Sequence, residues 1–142
     1  MSSNSTATRT AGPVRTRALA VLATVAVGGL IWLVAHSVLD IDLRVPDGPG
    51  STTTTELALP AVLIGTAVVS LLGWALLAVL ERVTARARVL WTVAALLVLV
   101  LSLFAPLFGE GLEAGNRVTL VLLHLSVGAI LVPAFRRDAR TA

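Results

Sequence analysis

Four long blocks of almost unbroken apolar residues divide this chain, and they leave it very few folds to choose from. They run over 18–39, 57–80, 89–108 and 118–135, separated by short polar segments. At about 1.5 Å per helical residue, each is long enough to reach most or all of the way across a hydrocarbon layer about 30 Å thick. A helix on the surface of a soluble protein needs a polar stripe at a period of 3.6 residues. The second block breaks its apolar run only with Thr66, Ser70 and the Trp74 indole, and the third only with Thr92 and Ser102. Composition agrees: 56% of residues are hydrophobic and 13% charged, against roughly 45–50% and 25% in soluble domains. The expected fold class is therefore all-α, an integral membrane antiparallel four-helix bundle.

The charges give the orientation. All 11 basic residues are Arg. Arg9, Arg15 and Arg17 precede the first block, Arg82, Arg86 and Arg88 lie between the second and third, and Arg136, Arg137 and Arg140 follow the fourth, while the two other connections hold only Arg44 and Arg117. Arginine accumulates in short cytoplasmic loops, so both termini and the 81–88 turn are expected in the cytoplasm. A net charge of +3 thus reads as a topology signal, and no nucleic-acid partner is expected. Residues 1–17 are expected to form a disordered tail, because they hold too few apolar side chains to offset the entropy of ordering. Residues 136–142 are expected to form a basic tail. A cleaved signal peptide ending at Ala35-His36-Ser37 would leave three spans, but 18 apolar residues exceed the 7–15 of a usual signal core.

In lipid, helices associate through close packing at small residues and through polar contacts. Ala20, Thr24 and Gly28 recur every four residues on the first span, and Gly65, Ser70 and Gly73 fall broadly together on the second. With Gly128 on the fourth, these are the expected helix-packing positions. Trp32, Trp74 and Trp91 lie toward span ends, where indoles anchor in the headgroup layer.

Ionisable groups at membrane depth are candidates for function. His124 lies about 9 Å into the fourth span. His36 ends the first span, Glu56 precedes the second, and Asp40, Asp42 and Arg44 occupy the 40–56 connection, so all six are expected at one end of the bundle. Neutral histidines there would donate to a carboxylate or a carbonyl, and two histidines with a carboxylate could bind a ligand, relay protons or hold a metal. No local metal-ligand spacing occurs, so no metal is expected. The 40–56 connection is longer than the 2–8 residues usual between packed helices, and it is expected to fold as a lid over its end of the bundle. Thr53 and Glu56 match a capping box. Cysteine is absent, which removes thiol chemistry and thiolate metal sites, and no phosphate loop, nucleophile elbow or HExxH motif is present. No catalytic residue and no cofactor is expected.

The segments RALAVLATVAVGGLIWLVAH, LRVPDGPG, TTELALPAVLIGTAVVSLLGWALLAVLE and HLSVGAILVPAF resemble an uncharacterised actinobacterial family of small membrane proteins, a domain of unknown function. The resemblance implies four spans and a bacterial plasma membrane, and brings no activity, cofactor or site residue. The expected partners are the lipid bilayer and either a second copy or another membrane protein. An accessory or structural role ranks first, followed by small-molecule, ion or proton binding or transport at His124, Glu56 and His36, with a membrane enzyme third.

Overall fold

A computed structural model describes residues 12–48 and 50–138. Of the two expected tails, 1–11 and 139–142 lie outside the described residues. The elements run α1 (Pro13–Ser37), β1 (Arg44–Pro46), β2 (Thr54–Glu56), α2 (Leu59–Val83), α3 (Ala87–Ser102), α4 (Phe104–Phe108) and α5 (Ala114–Asp138). Four rods, with α3 and α4 forming one of them, are long and apolar enough to cross a membrane. The chain is an all-α bundle whose only described sheet is the two-stranded β1–β2 hairpin.

Each helix starts and stops for a local reason. Pro13 and Pro60 stand in the first turns of α1 and α2, where a proline forfeits no helical hydrogen bond. α1 therefore begins five residues before the apolar block, and 13–17 are helical rather than part of a tail. It ends before Asp40, which takes the left-handed conformation at φ 53° that aspartate tolerates better than most residues. The third rod breaks at Leu103 because Pro106 cannot donate to the carbonyl four residues back, that of Ser102. The capping box is not formed: Glu56 lies in β2, and α2 starts from Ala58 with no side-chain cap.

α1 and α3 lie at opposite corners of the bundle, each packed on both α2 and α5. Two apolar clusters fill the interior. One lies toward the arginine-rich end and contains Ala20, Val21, Leu77, Trp91, Leu131 and Phe135; the other, at the hairpin end, contains Ala35, Leu43, Val62, Leu112, Leu120 and Leu123. Only 11–28% of the apolar window of each span is buried within the chain. Many large aliphatic side chains of the spans are exposed, including Leu22, Ile64, Leu72, Val98 and Leu101. A monomer in water rarely leaves so much apolar surface uncovered; this is the surface of a multi-pass membrane protein.

Small residues set the helix contacts. Ala20, Thr24 and Gly28 are all buried, and a methyl group at Gly28 would come within 3.1 Å of the Thr66 methyl, so α1 and α2 cross there. Ser70 is fully buried. Gly73 faces Trp91 and Phe135, and Gly128 receives Leu99 of α3 so closely that a methyl group there would lie 2.6 Å from it. Gly65 differs: it is exposed, with open space where its side chain would stand. At about 100° per residue it sits roughly 140° around α2 from Ser70, so the two belong to different faces.

The tryptophans also depart from expectation. Trp91 is 2% exposed and donates its indole N–H to the Gly73 carbonyl at 2.8 Å, which makes it a core residue and not a headgroup anchor. Trp74 is half-buried against the same cluster. Trp32 donates to the Leu57 carbonyl at 2.7 Å and stacks on His36, tying the hairpin's exit to α1.

Candidate functional site

Among the described residues, the arginines and carboxylates lie toward the two ends of the bundle. At one end the 40–56 connection folds into an antiparallel hairpin with Arg44 opposite Glu56 and Pro46 opposite Thr54. Leu43, 2% exposed, is its plug, with Ile41, Val45 and Leu57 packed on the same cluster. Its seat is the segment Gly109–Asn116. A methyl group at Gly111 would lie 2.9 Å from the Thr52 carbonyl oxygen, and one at Gly115 would lie 3.1 Å from Ile41. Gly111 also has φ +73°, where a side chain would be strained. Asn116, 4% exposed, then clamps the strand: its side-chain oxygen accepts from the Arg44 N–H at 3.2 Å, and its amide donates to the Arg44 carbonyl at 2.9 Å.

Arg117 closes the adjoining turn. Its guanidinium donates to the carbonyls of Pro106, Leu107 and Gly109, which the end of α4 leaves without helical partners. At the hairpin tip, Thr55 donates to the Asp47 carboxylate at 2.5 Å. Hydrogen bonds from Thr53 and Thr55, aided by the charge of Arg44, hold the Asp47 carboxyl below its ordinary range.

The six residues singled out from the sequence make mostly local contacts within this end. Arg44 turns its side chain to the Thr54 hydroxyl and carbonyl, both at 2.9 Å. His36 stacks on Trp32 with ring centroids 4.6 Å apart, and its Nδ1 is 3.6 Å from Asp42. Asp40 is exposed in the turn after α1, and Glu56 is exposed at the edge of β2. His124 is directed back along its own helix, its Nδ1 2.7 Å from the Leu120 carbonyl oxygen. His36 and Asp42 are thus brought together. Among the described residues, no group of three or more histidines and carboxylates could hold a metal ion.

Other polar side chains within the spans behave like His124. Thr24, Thr66, Ser70, Thr92, Ser102, Thr119 and Ser126 each donate to a carbonyl three or four residues back in the same helix. This satisfies the hydroxyls in a medium without water and projects none of these bonds across the bundle.

The opposite end carries two features that hydropathy does not reveal. Arg17 of α1 and Glu81 of α2 form a two-pronged ion pair, with N–O distances of 3.1 and 2.7 Å and side-chain exposures of 6% and 12%. Glu81 stands alone among the arginines of that turn, and this was the available sequence signal. At the same end, a cleft of about 520 Å³ opens between α3 and α5, lined by Arg88, Val132, Pro133, Arg136 and Arg137. A smaller cavity of about 180 Å³ shares Arg88 and Arg136 and adds Val89, Thr92 and Val93.

Residues 8–141 match a family of unknown function, DUF6069. The chain belongs to that family. No curated protein and no solved structure gives a match to it. For a DUF6069 member, the membership spans both the bundle and the hairpin, so the glycine seat, Asn116 and the Arg17–Glu81 pair all lie within the matched segment.

Proposed function

We propose that this protein is an accessory or structural component of a bacterial plasma membrane, acting through lateral helix contacts, with both termini and the arginine-rich end in the cytoplasm. The observation that carries the reading is the notch on α2. Ala61 and Gly65 are exposed four residues apart, flanked by the exposed Ile64, Val68 and Leu72. Small residues at this spacing let a second helix approach closely, and in lipid such approach is a main source of helix association. The interior of the bundle is packed with apolar side chains, and the span hydroxyls are satisfied within their own helices, which supports a role that works at the surface.

The test uses the absence of native cysteine. Gly65→Cys, oxidised in native membranes, is expected to crosslink to a neighbouring chain, and Leu101→Cys, exposed on α3, is expected to give far less product. Equal or no product at Gly65 overturns the reading.

A further inference from the structure

We infer that His36 is a proton-sensitive clasp for the hairpin: charging its imidazole tightens the root of the hairpin against the end of α1, and discharging it loosens that root. The device concerns the hairpin's hold on its own chain, so it depends neither on the α2 contact nor on which side of a membrane the hairpin faces.

The root is where the two arms of the hairpin meet α1. Leu57 sits at the exit and is held twice: its N–H donates to the Leu43 carbonyl at 2.7 Å, and its own carbonyl accepts the Trp32 indole N–H at 2.7 Å. At the entrance, Ile41 donates to the Ala35 carbonyl at 2.9 Å, and Asp42 precedes the buried plug Leu43. His36 touches both arms. Its ring stacks on Trp32 with centroids 4.6 Å apart and planes 25° apart, and its Nδ1 stands 3.6 Å from the Asp42 carboxylate. One side chain thus meets the tryptophan that holds the exit and the carboxylate at the entrance.

Each of these contacts strengthens when the ring takes up a proton. A cation over an indole face gains attraction to the ring's electron density that a neutral ring lacks. At 3.6 Å the approach to Asp42 is too long for a hydrogen bond from a neutral imidazole, yet it is an ion pair once the ring is charged. His36 also stands in the last turn of α1, where unpaired carbonyls carry negative partial charge that favours a cation. Among the described residues, Asp42 is the one charged side chain that faces His36; Arg44 turns to Thr54, and Asp40 and Glu56 are exposed. With 44% of its side chain exposed, the ring takes its proton directly from water. Histidine is the side chain that changes charge between about pH 5 and 8. The added hold is complete where the ring is charged and is lost as pH rises through its titration.

Amide exchange measured by NMR on the full chain in micelles, at about pH 5 and about pH 8, reads the clasp in the wild type and in His36→Gln. Dividing one protein's rate by the other's at the same pH cancels the chemistry of exchange and the titration of the carboxylates, which both proteins share. At Leu57 the ratio of wild type to variant is expected to fall about two- to fivefold from the higher pH to the lower. Asp42→Asn, compared with His36→Gln in the same way, is expected to keep part of that fall through Trp32. Trp32→Phe leaves a ring beneath His36 but no N–H for the Leu57 carbonyl, so the fall is expected to vanish at Leu57 and persist at Ile41. Should His36→Gln not fold, the ratio of wild type to Asp42→Asn carries the test, with a smaller fall expected. A ratio that stays flat or rises toward acid, or a fall at Leu57 undiminished by Trp32→Phe, overturns the inference.

Discussion

Glu81→Gln is the sharpest probe of how the arginine-rich end is held. It keeps the side chain's shape and removes the charge that faces Arg17. The guanidinium is 6% exposed and makes both N–O contacts of the pair with this carboxylate, so the substitution removes the charge that answers it across this pair. Breaking buried pairs in this way costs about 3–5 kcal/mol. With Glu81 still 12% exposed at the end of the bundle, the lower figure applies, about 3 kcal/mol, or roughly a hundredfold in the folded-to-unfolded ratio. Arg17→Met with Glu81→Met removes both charges and fills the space with hydrocarbon, so it is expected to lose no more than about 1 kcal/mol. Reversible unfolding in mixed micelles by titration with a denaturing detergent measures all of these variants, and the singles Arg17→Met and Glu81→Met with the double close a mutant cycle. A Glu81→Gln cost below about 0.5 kcal/mol, or a double variant equal to the sum of its singles, refutes the reasoning.

Three further outcomes follow from the geometry. Asn116→Ala removes both hydrogen bonds to the Arg44 backbone, a loss of about 1–3 kcal/mol, and trypsin is expected to cut after Arg44 several times faster; an unchanged cleavage rate contradicts the clamp. Gly128→Val drives a side chain into Leu99 and is expected to cost about 1–3 kcal/mol in the same unfolding assay, with Leu99→Ala in the double variant recovering part of it. Because the Asp47 carboxyl is held below its ordinary value of 3.8, its support of the hairpin tip is complete above that pH and lost as pH falls through the depressed folded-state value. Amide exchange at Thr53 and Thr55 is expected to accelerate over that range, and to show no such pH step in Asp47→Asn.

The four spans were legible because apolar length is a one-dimensional signal, and so was the gathering of polar residues at the hairpin end. Rotation about each helix axis was harder to read. Gly65 and Gly73 look alike as small residues in one span, yet one faces outward and the other meets Trp91 and Phe135. Trp91 was misplaced for the same reason: its position along the chain gives its depth, and only the phase of α3 turns it inward to the Gly73 carbonyl. Pairings between distant segments were invisible. Arg17 read as part of a polar tail until α1 began at Pro13 and carried it to Glu81, 64 residues away. The hairpin has strands of three residues each, too short to alternate recognisably, and its register depends on Gly111, Gly115 and Asn116 in a segment that looked like a plain turn. His124 was legible in depth but not in direction.

The central claim is that four helices cross a membrane with the hairpin end and the arginine-rich end on opposite sides. Single cysteines in place of the exposed Glu110 and Arg86, one near each end, test it with a membrane-impermeant maleimide on sealed cells. The account predicts labelling at Glu110→Cys in intact cells and at Arg86→Cys only after permeabilisation. Labelling of both positions in intact cells contradicts it, and labelling of Arg86→Cys alone reverses the proposed orientation.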